Sequence, residues 1–199
     1  MSHPEELKRL NAEITSHMSH LGKCLIYVLS LYVLGMVVMQ HCGQSRIAAF
    51  VSGMIGCRFG SMKQRLREFT YESERKQGAK RQEVEVKTCF APLLGWVLSK
   101  FRGDHKQLVL TMDATYLKDR FVILAVSVVV AGCAIPVAWH IQVGNQKGEW
   151  NPIWFALLDL LQSTIPQDWQ VFVLTDSGLY ARPLFHYLTS VLVKRQPVG

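Results

Sequence analysis

Two aspartates stand apart from the other acids of this chain, because each sits at the end of a run of apolar, β-branched residues: Asp113 in LVLTMDAT and Asp176 in VFVLTDSG. A carboxylate set among buried strand residues is costly to ionise unless a cation or hydrogen-bond donors compensate. A single strand-end aspartate commonly does no more than bind backbone N–H groups in a turn. Two together open a second reading. If their strands are adjacent and parallel, both carboxylates converge near one end of a sheet and can hold a divalent cation, which suits metal-assisted phosphoryl transfer. Asp119, Asp159 and Asp168 fall in turn-like or helical settings where water solvates them, and read as structural.

A second group is defined by charge. Residues 58–87 hold nine Lys or Arg against five Glu, so a net +4 of the chain's +7 is concentrated there. The plain reading of such a stretch is a solvated helix face. Next to a helix-turn-helix-like pair at about 24–55, however, it also suits a polyanion, and Arg58, Lys63, Arg65, Arg67, Lys76, Lys80 and Arg81 are the expected phosphate contacts. His17, His20 and Cys24 share a helical face by spacing, but histidines so spaced are common and no zinc site is assigned to them. His140 and His186 read as structural histidines, and Trp139, Trp150 and Trp154 as packing between a sheet and its crossover helix.

The elements that must position these residues follow from periodicity. Helical spacing is expected over about 5–20, 22–40 and 44–55, then in a largely solvated basic helix, SMKQRLREFTYESERK, and again from Cys89 to Lys100. The charged, turn-like RGDHK segment then marks a domain boundary. From Gln107 the period changes. QLVLTMDAT, FVILAVSVVVAG and AIPVAWHIQVG read as three consecutive antiparallel strands, WNPIWFALLDLLQS as a helix, QVFVLTDSG as a further strand, and 180–193 as a last helix. The expected fold class is therefore α+β: a helical region over 1–104, then a mixed sheet of β-β-β-α-β order over 105–199.

Composition sets the bounds. With 199 residues and 49% of them apolar, the chain can bury a real core, so disorder is not expected for most of it. Five widely spaced cysteines with no CxxC pair give neither a disulfide framework nor a zinc ribbon, and a reducing cytoplasm fits them best. The polar N-terminus, MSHPEELKRLNAEI, does not read as a secretory signal. The uncharged run from Cys24 to Met39 is short against the ~20 residues a membrane span needs, and a buried helix is expected there.

The motifs also carry a family resemblance. MDAT at 112–115, PVAWHIQVGNQKGEW at 136–150 and LTDSGLYARPLF at 174–185 resemble the first half of the RNase H-like catalytic domain of DDE transposases from bacterial insertion sequences. VLGMVVMQHCGQSRIAAFVSG followed by KQRLREF is similar to the helical DNA-binding region that precedes that domain, so the resemblance covers nearly the whole chain. It implies that Asp113 and Asp176 are the first two acids of a catalytic triad that binds two Mg²⁺ ions, or Mn²⁺ in their place. The implied partner is double-stranded DNA at transposon ends, bound as a homodimer or as a mixed dimer with a full-length transposase. The family's third acid, a Glu on a later helix, has no counterpart: SGLYARPLFHYLTSVLVKRQPVG contains no Asp or Glu, and Glu149 precedes the second aspartate. Ser177 also stands where many relatives have Arg.

Three readings follow. The first is a transposase, Mg-dependent in strand cleavage and transfer, seen here as an inactive fragment that ends before its third acid. The second is a non-catalytic DNA-binding regulator of a full-length copy. The third is a small protein anchored to a membrane by residues 24–39, with its basic helix on anionic lipid; the DNA readings, with no membrane, are preferred.

Overall fold

Apolar side chains at helical spacing shape the first part of the chain. The computed structural model describes residues 3–77, 82–101, 106–144, 150–179 and 181–192. It divides into two compact units, before and after the step from Val86 to Lys87. In the first unit, α1 (His3–His17), α2 (Lys23–Met39), α3 (Gln44–Ile55) and α4 (Phe59–Glu68) converge on a core of Leu7, Leu31, Leu34, Ile47, Ala48, Val51, Met62 and Leu66. Gly35 lets α2 and α3 approach closely, because a Cβ there would lie 2.5 Å from Ile47 Cγ2.

α2 stops where Gln40 turns left-handed (φ 48°) and its N–H bonds to the Met36 carbonyl. Three further residues lead into α3, whose axis is bent by 102° from that of α2. A helix pair at this angle across a four-residue turn containing glycine has helix-turn-helix geometry. One side of α2, including Leu25, Ile26, Leu31 and Leu34, is buried, whereas Met36, Val37 and Met39 are exposed. Among the described residues no single helix is long and apolar enough to cross a membrane.

The basic helix is shorter than its sequence suggests and less solvated. It ends at Glu68 rather than Lys76, because Tyr71 N–H turns back to the Glu68 carbonyl and Ser73 N–H goes to the Glu83 carboxylate instead of a helical carbonyl. Met62 and Leu66 bury one face of it completely.

In the second unit, β1 (Gln107–Leu117), β2 (Phe121–Val130) and β3 (Cys133–Val143) form an antiparallel meander, and β4 (Gln170–Thr175) returns parallel to β1. The sheet order is β3-β2-β1-β4. The tight β2–β3 connection uses Ala131 (φ 48°) and Gly132 (φ 79°), two left-handed residues as a type I′ hairpin requires. α6 (Asn151–Gln162) makes the crossover to β4, and α7 (Arg182–Leu192) follows it.

Alternation along the strands separates two faces. Leu108, Leu110, Met112, Val122, Leu124, Val126 and Val128 face a core completed by Trp154, Leu157, Leu158 and Leu161 of α6 and Leu184 of α7. α5 (Phe90–Leu98) also belongs here. Its Phe90 and Leu94 are buried in the same core, and the Phe90 ring lies 4.8 Å from Trp139. The boundary therefore falls at 86/87 rather than 104/105: FAPLLGWVL has no charged face to leave in water and is consumed by the sheet's core. The chain is thus α+β, with seven α-helices and one four-stranded mixed sheet among the described residues.

Candidate functional site

The parallel register of β1 on β4 decides where the two singled-out aspartates lie. It runs from Gln107 beside Gln170 to Met112 beside Thr175, so Asp113 and Asp176 each follow the last registered pair; Asp113 lies inside β1, which continues to Leu117 beside β2, and Asp176 lies just past the end of β4. Strands in a sheet are about 4.8 Å apart, a spacing that one cation or one water can bridge with two carboxylates. Met112 faces the core at 2% exposure, so Asp113 projects from the opposite face with Thr111 and Thr115. Alternation carried one residue beyond β4 puts Asp176 on that face too, after Phe172 and Leu174. Both aspartates are exposed.

Each carboxylate is held differently. Asp113 Oδ2 accepts a hydrogen bond from Thr115 Oγ1 at 2.8 Å, while Asp113 remains paired across the sheet with Ala125. At Asp176 the chain leaves the sheet in a single 3₁₀ turn, Ser177–Leu179, and Leu179 N–H returns to the Asp176 carbonyl at 3.0 Å. Phe172 and Leu174, 40% and 54% exposed, leave an apolar strip beside the pair on the uncovered face.

Two hard oxygen donors suit one Mg²⁺, which keeps most of its waters and takes one or two carboxylates. Among the described residues no group of three or more His, Cys, Asp or Glu is placed to hold a metal ion. Glu149 lies outside the described residues. The remaining acids have local duties. Asp168 pairs with Lys106 at 2.9 Å, and this hydrogen bond lowers its carboxyl pKa from the ordinary value. Asp159 accepts from the Tyr187 hydroxyl; burial first and this bond second push the phenol well above its ordinary value. His17 faces Glu13 at 3.6 Å.

The basic side chains do not form one surface. Arg58 precedes α4; Lys63 lies 5.9 Å over the Phe59 ring, and the Arg67 guanidinium lies 5.8 Å over the Tyr71 ring. With Met62 and Leu66 turned inward, helical spacing sends Lys63 and Arg67 to one flank and Arg65 to the other. Lys76 is 9% exposed, and its ammonium donates to the Gln82 carbonyl, so it is not a free surface contact. Lys80 and Arg81 lie outside the described residues. On α3, Ser45, Arg46 and Ala49 are exposed.

Comparison with known proteins returns no match: no protein-family model, no curated protein and no solved structure matches the chain. Sequence reasoning missed Thr115 as the partner of Asp113, although an i,i+2 pair on one strand face is a signal that alternation offers. It also missed Lys23, Tyr27 and Phe69, which join Arg65 and Lys76 around one cleft. Nothing local in the sequence marks those three, because the cleft is made by residues far apart in the chain.

Proposed function

We propose that this chain is a DNA-binding protein of the DDE-transposase kind, with an RNase H-like second unit. Its Asp113 and Asp176 hold a divalent cation at the uncovered end of β1 and β4. The observation that supports the reading is the parallel β1–β4 register, whose last pair, Met112 and Thr175, directly precedes Asp113 and Asp176. A bound Mg²⁺ or Mn²⁺ would supply Lewis-acid stabilisation of charge on phosphate oxygens. The chain's own contribution is to orient: Thr115 fixes one carboxylate by hydrogen bond, and the β1–β4 pairing up to Met112 and Thr175 holds the two strands from which both aspartates follow.

The helical unit supplies the grip on double-stranded DNA. α2 and α3 have the angle and turn of a helix-turn-helix, whose second helix enters the major groove with its N-terminal residues against the bases. Ser45, Arg46 and Ala49 would face the groove, while Arg58, Lys63 and Arg67 neutralise phosphates. Such work on chromosomal DNA belongs in the cytoplasm of a bacterium. A second reading has its own support: among the described residues no group of three His, Cys, Asp or Glu is placed to hold a metal ion. On that reading it occupies transposon ends, or pairs with a complete transposase, and regulates without cutting.

The test is paired. Fluorescence anisotropy with duplex DNA should show binding that weakens steeply as salt rises; salt-insensitive binding, or none, would overturn the DNA reading. A plasmid-nicking assay with Mg²⁺ or Mn²⁺ should show no cleavage. Robust nicking lost in Asp113→Asn would overturn the non-cutting part and restore a complete active site.

A further inference from the structure

The helical unit contains a cleft that neither the carboxylate pair nor the exposed flank of α4 uses. It has a volume of about 390 Å³ and is lined by the first turn of α2, the Arg65 flank of α4, Lys76 and Gln82. Three cations line it, Lys23, Arg65 and Lys76, together with one acid, Glu68. The Glu68 carboxylate is already engaged, accepting from Gln64 Nε2 at 2.7 Å. Among the described residues no carboxylate pairs with any of the three cations.

Two further features give the cleft a ligand preference. Among the described residues the ammonium of Lys76, nine-tenths buried, has a backbone carbonyl as its partner and no carboxylate, an arrangement that an anion beside it would offset. The first turn of α2 adds backbone N–H groups without partners inside the helix, since Gly22 offers no side-chain cap and the turn holds no acid. The rings of Tyr27 and Phe69, one helical turn beyond Lys23 and Arg65, line the same cleft. Cations and aromatic rings around one cleft suit a nucleotide, with its phosphate on the cations and its base against the rings.

We infer that this cleft binds a single unpaired nucleotide through its phosphate. A volume of about 390 Å³ falls at the small end of the usual range for small-molecule sites, about 300–1,000 Å³, and fits one nucleotide but not a duplex. The ligand is either a free mononucleotide or an unstacked residue at a DNA strand end. The inference rests on the nucleic-acid reading for the ligand's class, but it uses neither Asp113 nor Asp176.

The full chain would be titrated calorimetrically with thymidine 5′-monophosphate, with thymidine, and with a 5′-phosphorylated oligothymidylate. Duplex binding would be followed separately by anisotropy. The phosphorylated probes should bind, thymidine at least about tenfold more weakly, and Lys23→Gln/Arg65→Gln should lose at least about tenfold for the nucleotide, as expected for losing two charge-assisted contacts. Both substituted side chains are exposed, so the variant's melting should be unchanged. Tighter binding of the oligonucleotide than of the mononucleotide would make a strand end the ligand; the reverse order would make it the free nucleotide.

In the unaltered chain, thymidine 5′-monophosphate should also slow alkylation of Cys24, which is exposed and lines the cleft, but not of the exposed Cys42, Cys57 or Cys133. This readout stands even if the double variant fails to fold. Intact duplex binding with no nucleotide binding, or with equal alkylation of Cys24, would overturn the cleft alone. Loss of duplex and nucleotide binding together would overturn the nucleic-acid reading with it.

Discussion

Replacing Lys63 and Arg67 by Gln should change how DNA affinity depends on salt by an amount that can be worked from the structure. Of the basic residues near α4, Arg58, Lys63 and Arg67 are exposed and placed on duplex phosphates, whereas Arg65 turns to the other flank and Lys76 is buried with its ammonium on a carbonyl, so neither is counted. Three phosphate contacts give a slope of log K against log salt of about −2.7, and hence a loss of about 40-fold between 50 and 200 mM salt. The double variant keeps one contact, so its slope should be about −0.9 and its loss only about 3.5-fold over the same interval. Both side chains lie over rings on one exposed flank of the helix, so the core formed by Met62 and Leu66 should be untouched and thermal melting nearly unchanged. The assay is anisotropy of a labelled duplex at several salt concentrations. An unchanged slope in a folded double variant would refute the placement of these residues on DNA.

Three further outcomes follow from packing and titration. Gly35→Ala should destabilise the helical unit by about 1–2 kcal/mol in urea unfolding: overpacking against the stiff, buried Ile47 costs about 1–3 kcal/mol and better helix propensity returns up to about 1. A stabilised variant would mean that α2 and α3 are not so close. Trp154→Ala removes the largest fully buried side chain of the sheet unit and should cost about 3–5 kcal/mol, read as a shifted denaturation midpoint of that unit; a midpoint that stays put would contradict the packing. Tyr187→Phe should cost about 1 kcal/mol near neutrality, because the hydroxyl is bonded to Asp159 and to the Phe155 carbonyl. The native phenol holds its proton to higher pH than the unfolded one, so its stabilisation is complete below about pH 10, the unfolded value, and declines as pH rises above it. Melting curves of both proteins should therefore converge in strong alkali, and a gap that widens there would contradict the assignment.

Much of the fold was legible because hydrophobic period and burial agree. The strand runs around 107–117, 121–130 and 133–143, and the single helix before the last strand, form the antiparallel meander and parallel return that period alone suggested. The placing of Asp113 and Asp176 at apolar strands was legible for the same reason, although Asp113 lies inside β1, which runs on to Leu117, and not at its end. Two features were not. α5 reads as a helix in either unit, and only its packing through Phe90 and Leu94 shows which core takes it. The end of α4 was hidden because FTYESERK continues a helical charge pattern, whereas a contact from outside the helix, Glu83 to the Ser73 N–H, captures the backbone. The grouping of Lys23 with Arg65 and Lys76 likewise depends on how chain segments meet, which no local pattern encodes.

The most direct test of the carboxylate pair is Mn²⁺ binding followed by electron paramagnetic resonance, in the unaltered chain and in Asp113→Asn and Asp176→Asn. Two oxygen donors on neighbouring strands should bind one ion, and either substitution should weaken that binding by at least about tenfold, since a carboxylate contributes both charge and ligand. Equal Mn²⁺ binding by all three proteins would show that the two aspartates share no cation, and the cation site proposed for this chain would fall.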